Sequence, residues 1–411
     1  MAPILCNYYV TYRCNAKCGF CDIWEQPSPM ISLEDAERNL DDLRLLGVRM
    51  IDFTGGEPLL HRDLDKLLAM ARQRGFLTTV TTNGLLYPKR AESLRRNIDL
   101  LHFSIDSSDP DEHDASRGVK CFAHLMKSIE TAVSLGESPD LLFTVTNGNF
   151  RHLPAIYEEL ALPNKLVLIL NPLFEYHTVG TGLSDPVMDM MEEYGRKPYV
   201  YLNPAFVTLR RRGGNDPVEP VCKAVSTCVV ISPFDELVLP CYHYGLEKLA
   251  IQGRLYELWN SERVDWHRRM EGRHDACRGC TINCYFEPSF AASPGTRYFW
   301  ESIPSKVRYS WTKFIVQRMR ARLGNRAAVL PDWSERRPEA TSDSRPVFSG
   351  EVADVSSEDT PEVPSGDRSW RSGNGRAIVT GNGAPGSSGD GTSAMIPLPV
   401  LHEAGRVPRT S

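Results

Sequence analysis

The chain has 411 residues, 41% hydrophobic and 24% charged, an ordinary balance for a soluble globular protein of two or three units. A net charge of −5 gives no reason to expect a nucleic-acid partner. No basic segment followed by an apolar one opens the chain, and no apolar run approaches the ~20 residues that span a bilayer. The eleven cysteines are therefore expected to be reduced thiols of a cytoplasmic protein, most of them binding metal.

In chain order, the first strand is expected over Leu5–Thr11 and ends in the loop Tyr12-Arg13-Cys14-Asn15-Ala16-Lys17-Cys18-Gly19-Phe20-Cys21. Cys14, Cys18 and Cys21 stand at C-x3-C-x2-C spacing. Disulfides leave one of three thiols over, and the loop is tight for pairing. Three thiolates can converge on one centre. That centre is either a four-iron cluster with one iron open to an outside ligand, or a zinc knob completed by Cys6 or a histidine. Ser32 then caps a helix with Leu33, Ala36, Leu40 and Leu43 on one face, and Gly47 stops it. A strand over Val48–Phe53 delivers Gly55-Gly56-Glu57-Pro58. A helix follows, with Leu64, Leu67, Leu68 and Ala71 on one face. The strand Phe76–Thr82 closes on Asn83-Gly84, and Leu94–Asn97 ends a third helix. Leu100–Ile105 is a strand, Leu125, Ile129, Ala132 and Val133 line a fourth helix, and Leu141–Thr146 and Leu166–Leu170 are strands around a helix at Pro154–Leu160. Strands alternating with helices imply a parallel α/β sheet with right-handed crossovers. Six such strands would close only part of a TIM-type barrel, and the cysteine loop, the Gly-Gly-Glu-Pro loop, Asn83 and Asp106 all fall beyond carboxyl ends of strands, where sites lie in such sheets.

These motifs resemble the radical SAM enzymes, whose hallmark is C-x3-C-x2-C at the end of a first strand. Gly55-Gly56-Glu57-Pro58 is similar to that family's GGEP motif, and the likeness reaches Ser104-Ile105-Asp106, Arg117-Gly118 and Thr146-Asn147. The resemblance implies a partial (β/α)6 barrel. It implies a [4Fe-4S] cluster on Cys14, Cys18 and Cys21 whose open iron takes S-adenosylmethionine, and reductive cleavage to a 5′-deoxyadenosyl radical that removes hydrogen from a substrate. It also implies that Gly55, Gly56, Glu57 and Pro58 bind the amino group of that cofactor, that Ser104 and Asp106 meet its ribose, and that Arg117 meets its carboxylate. Asn83 and Asn147 join the cofactor-binding set, Phe20 shields the cluster, and a flavodoxin or ferredoxin is the expected electron donor.

Domain boundaries are expected at 1–215 (barrel), 216–295, 296–330 and 331–411. A helix over Pro186–Tyr194 and a strand over Tyr199–Asn203 lead to the first of these. The second segment carries Cys222, Cys228, Cys241, Cys277, Cys280 and Cys284, with a hairpin of Val229–Ile231 and Leu237–Leu239. It resembles the auxiliary-cluster extension called SPASM, or its shorter form, twitch, although Asp235 or Glu236 stands where a turn glycine is expected. One auxiliary [4Fe-4S] cluster is expected, on Cys222, Cys228, Cys241 and one of the last three, and a zinc ribbon is the alternative. Cys6 and Cys121 are expected to be plain buried thiols. Residues 298–324 interleave basic and aromatic residues, so a helix there can lie on a membrane surface, dock on the barrel or bind an acidic peptide. From 331 onward the composition is that of a disordered tail. The substrate is expected to be a peptide or a small metabolite, against the alternative of a non-catalytic iron–sulfur or zinc scaffold.

Overall fold

Strand β1 (Leu5–Thr11) runs parallel to β2 (Met50–Gly55), and β3 (Leu77–Thr82), β4 (Leu100–Ser104), β5 (Asp140–Val145), β6 (Leu168–Pro172) and β7 (Val200–Tyr201) follow in sequence order, each parallel to the last. This is a computed structural model, and it describes residues 2–174, 182–321 and 327–333. The six expected strands form a partial (β/α)6 barrel, which the short β7 extends. On the other side of β1, β8 (Cys228–Ile231) pairs parallel to it, and β9 (Glu236–Leu239) and β10 (Glu247–Ala250) continue antiparallel. The cysteine-rich segment thus builds its hairpin onto the barrel sheet itself, making ten strands in one sheet.

Alternation along the strands sorts the two faces. Tyr8, Ile51, Phe53, Val80, Phe103 and Phe143 belong to one buried apolar cluster with the helices. Between them Asp52, Thr79, His102 and Asp140 turn to the inner face and bond one another: Thr79 donates to Asp52, and His102 lies 3.4 Å from Asp140. The barrel interior is therefore polar.

Helices α1 (Leu33–Leu46), α2 (Leu64–Gln73) and α3 (Tyr87–Leu94) lie where periodicity put them. Ser32 Oγ accepts from the Asp35 N–H at 3.0 Å, and Gly47 ends α1 at φ 89°. Helix α4 (Pro110–Arg117) was not expected, although its signals are in the sequence. Asp109 accepts from the Glu112 N–H at 2.9 Å, Pro110 opens the first turn, and Gly118 closes it at φ 63°. Helix α5 (Phe122–Ser134) follows. At the β8–β9 turn Asp235 itself takes φ 57°, held by the Asn39 amide at 2.8 Å and the Gln252 N–H at 3.0 Å, so no glycine is needed.

The helix Arg297–Trp311 and its continuation to Ala321 dock on the barrel through Lys306, Tyr309 and Lys313. Lys313 Nζ reaches Asp140 Oδ1 at 2.7 Å, Tyr309 donates to Asp140 Oδ2 at 2.6 Å, and Lys306 donates to the Glu287 carbonyl at 2.7 Å. Asp140 opens β5, so the helix crosses the end of the barrel opposite the cysteine loop. Pro331–Trp333, expected in the tail, belong to the fold: Trp333 is buried, stacks toward Phe122 with ring centroids 6.0 Å apart, and donates to Glu159 at 2.8 Å. The rest of the expected tail, 334–411, lies outside the described residues.

Candidate cluster and cofactor site

The cysteine loop is clamped from two sides by backbone. Gly56 N–H donates to the Thr11 carbonyl at 2.9 Å and Glu57 N–H to the Arg13 carbonyl at 2.8 Å. A Cβ on Gly55 would stand 1.9 Å from the Thr11 oxygen, and one on Gly56 would stand 2.3 Å from the Arg13 oxygen. The glycine pair thus admits the chain's own backbone. On the opposite side Lys17 N–H donates to the Arg117 carbonyl at 2.9 Å, and a Cβ on Gly118 would stand 2.5 Å from the Lys17 oxygen. Three free thiols result, each half-buried. Cys14 and Cys21 both feel the charge of Cys18, and burial pushes all three thiols up, Cys21 to about 11. Cys121, buried as expected, belongs with Ala16, Leu85 and Val119 to the small cluster against which Cys14 and Cys18 pack.

Glu57 is buried, and its carboxylate accepts from the Leu59 N–H at 3.0 Å, the Thr82 hydroxyl at 2.8 Å and the Asn83 N–H at 2.9 Å. Burial raises it and those three donors pull it back. It therefore ties the end of β2 to the end of β3. Asn83 extends the tie, its amide donating to Asn15 in the cysteine loop at 2.8 Å. Arg117 and Asp106, both buried, pair at 2.7 Å. The Arg117 guanidinium lies 5.5 Å from the Phe20 ring centroid and 3.8 Å from Cys18 Sγ. Ser104 is buried at the end of β4. Asn147 stands apart: its side chain is occupied by the Gly182 carbonyl at 3.1 Å and the Ser184 N–H at 2.9 Å. The residue beside it that sequence reading missed is Asn149, whose amide donates to the Asp106 carbonyl at 3.1 Å and the Thr144 carbonyl at 2.8 Å. His113, also missed, accepts from the Asp106 N–H on Nδ1 at 3.2 Å.

Among the described residues no three His, Cys, Asp or Glu side chains stand close enough to hold one metal ion. A four-iron cluster takes its thiolates one to a corner, wider apart than ligands of a single ion. The donor set fits such a cluster with an adenosylated amino acid beside it: three free thiols, and two buried atoms, Arg117 Nε and Asp106 Oδ1, without a hydrogen-bond partner among the described residues.

The six downstream cysteines lie in two overlapping neighbourhoods. Cys222 feels Cys280 and Cys241, and Cys241 feels Cys280 and Cys277. Cys228 feels Cys284 and, after it, Cys241, and both Cys228 and Cys284 feel Asp52 on the inner barrel face. The reason is the strand: Cys228 begins β8 and points into the barrel with Tyr9 and Val230. Cys284 reaches solvent, and the protein crowding it raises it to about 12. Asn215, buried, joins the arms of the first group. Its Oδ1 accepts from the Val221 and Cys222 N–H groups at 3.1 and 3.3 Å, its Nδ2 donates to the Gly272 and Cys277 carbonyls at 2.8 and 3.2 Å, and its N–H donates to the Cys280 carbonyl at 3.0 Å. No sequence signal marked it beyond its place in a Gly-Gly-Asn-Asp turn. In the same cluster as Cys228 and Cys241, Tyr242 stacks on Tyr9, centroids 4.4 Å apart, and its N–H donates to the Tyr285 hydroxyl at 2.8 Å.

The radical SAM superfamily model matches residues 8–160. The Fe-coproporphyrin III synthase of Methanosarcina barkeri is 30% identical over 156 residues, 37% of this chain and 39% of that protein. The antilisterial bacteriocin subtilosin biosynthesis protein AlbA of Bacillus subtilis is 25% identical over 291 residues, 63% of this chain and 62% of that protein. The chain spans less than two thirds of the length of either relative. Among solved structures, Streptococcus suis SuiB bound to the precursor peptide SuiA superposes with TM-score 0.54 at 18% identity, over 69% of this chain and 70% of that one, a likeness of fold. With the motif clamped as described and this match across it, residues 8–160 are a radical SAM domain.

Proposed function

We propose that the protein is a radical SAM enzyme that modifies a peptide. The observation that carries the enzymatic reading is the three-thiol loop set against a buried Arg117–Asp106 pair with two unsatisfied atoms. Cys14, Cys18 and Cys21 would hold a [4Fe-4S] cluster, and Cys222, Cys241, Cys277 and Cys280 an auxiliary one. The cluster and S-adenosylmethionine, when bound, supply one-electron cleavage of the sulfonium and hydrogen abstraction. Within the chain, Arg117 supplies a cation for a carboxylate and Asp106 an acceptor for hydroxyls, each kept in place by the other. Glu57 acts through the Asn83 backbone and the β2–β3 ends, with the free lone pairs of its oxygens left for an ammonium. Ser104 stands at the same strand end. Phe20 and the Tyr9–Tyr242 stack wall the site from water, and a flavodoxin or ferredoxin would deliver the electron.

The peptide reading rests on the likeness to AlbA, which runs over 291 residues and so beyond the family match at 8–160. The likeness to Fe-coproporphyrin III synthase, at higher identity but over 156 residues, supports a small metabolite instead. The test is release of 5′-deoxyadenosine from S-adenosylmethionine under strong reductant, alone and with candidate precursor peptides. Cys18→Ala should abolish release. Cys241→Ala should keep uncoupled release and lose product. Release that no peptide stimulates would count against the peptide, and none at all from reconstituted wild type would end the enzymatic reading in favour of a scaffold.

A further inference from the structure

The helix that begins at Arg297 turns its polar side to the barrel and leaves an apolar stripe in the open. Trp300, Val307, Trp311, Ile315 and Met319 are exposed by 65%, 63%, 61%, 41% and 62%. They are spaced by seven, four, four and four residues, which in an α-helix drifts slowly round the axis. Thr312–Gln317 is wound as a π-helix, whose wider turn takes up part of that drift. At 1.5 Å per residue the stripe is about 28 Å long. Docking explains the opposite face, through Tyr309, Lys313 and Gln317. Nothing among the described residues covers the stripe.

The charges beside it narrow what does. Arg297, Arg308 and Arg318 are exposed; Arg308 also donates to the Gly195, Arg196 and Val200 carbonyls, which leave its charge uncompensated, and Arg318 lies 3.7 Å from Asp99. The one acid of the helix, Glu301, is already paired with Arg297 at 3.1 Å. Arg320 and Arg322 follow in sequence. A second copy packed stripe to stripe would bring cations against cations, whereas an anionic headgroup layer pairs them. Indoles beside arginines also suit the boundary between headgroups and acyl chains. No helix among the described residues is long and apolar enough to cross a membrane. We propose that this face docks the protein flat on an anionic lipid surface, with Trp300, Val307 and Trp311 entering the headgroup boundary and the opposite, cysteine-bearing end of the barrel facing away.

The test is flotation of the full-length protein with phosphatidylglycerol vesicles and with phosphatidylcholine vesicles, beside light scattering of the protein alone. The expected result is binding to phosphatidylglycerol that weakens with salt and is at least about tenfold weaker on phosphatidylcholine. Val307→Glu with Trp311→Glu, exposed positions remote from the cysteines, should abolish flotation while leaving iron content and 5′-deoxyadenosine release unchanged. Three outcomes overturn the proposal: wild type that ignores phosphatidylglycerol, a double variant that floats as well as wild type, or a dimer in solution that the double variant breaks, which would make a second copy the occupant. Because release is read in the same samples, failure here leaves the enzymatic reading standing.

Discussion

At the scale of single residues, the buried Arg117–Asp106 pair is the most exposed to mutation. Arg117→Ala strands a buried carboxylate, so we expect a loss of about 3–5 kcal/mol in urea unfolding, while Arg117→Met with Asp106→Leu recovers most of it. The same double variant should not bind S-adenosylmethionine, which separates the pair's structural part from its binding part. His113 supplies a pH dependence. Burial, and then Arg117, push it below its ordinary value, and its Nδ1 must stay unprotonated to accept the Asp106 N–H. Its folded value is depressed, so the unfolded chain binds the proton more readily. Stability is therefore full above the unfolded value of about 6.5 and falls as pH drops below it. Urea midpoints from pH 8 to 5 check this, and His113→Gln should flatten the fall. Cys14, Cys18, Cys21, Glu57 and Arg117, which the structure brings to one place, stood out in the sequence because spacing and motif carried them. Asn149 and Asn215 were not, because a side chain that holds backbone groups from distant segments leaves no local pattern.

At the scale of elements, the two glycine contacts decide whether the cysteine loop closes. Gly118 holds φ 63° and faces the Lys17 carbonyl, so Gly118→Ala should cost at least ~2 kcal/mol and reduce iron at the first site, read by iron content and thermal melting. Asn215→Ala breaks the tie between the Cys222 and Cys277–Cys280 arms and should lose auxiliary iron while sparing 5′-deoxyadenosine release. Strand positions were readable from alternation and turn residues, and α4 was readable but passed over, since Asp109, Pro110 and Gly118 are its caps. The pairing of β8 with β1 was not readable: it is a contact between segments far apart in the chain, and its consequence, Cys228 turned into the barrel with Cys284, could not be reached from the C-x2-C-x3-C spacing.

At the scale of the whole molecule, the basic helix closes the far end of the barrel. Asp140 is buried and is held there by Lys313, Tyr309 and His102. Lys313→Met should destabilise the fold by about 3–5 kcal/mol by stranding that carboxylate, and limited proteolysis should then cut within 297–321 first. The sequence left this helix to lie on a membrane surface, dock on the barrel or bind an acidic peptide. In the structure it docks, because the barrel end offers carboxylates and carbonyls to Lys306, Tyr309 and Lys313, and the apolar stripe remains outside.

Two cluster sites of distinct duty are the claim on which the rest stands, and iron per chain after anaerobic reconstitution tests it most directly. Wild type should hold about eight irons, Cys18→Ala about four and Cys241→Ala about four, since each cluster holds four. Zinc in place of iron at Cys14, Cys18 and Cys21, or about four irons in wild type that Cys241→Ala leaves untouched, would contradict it.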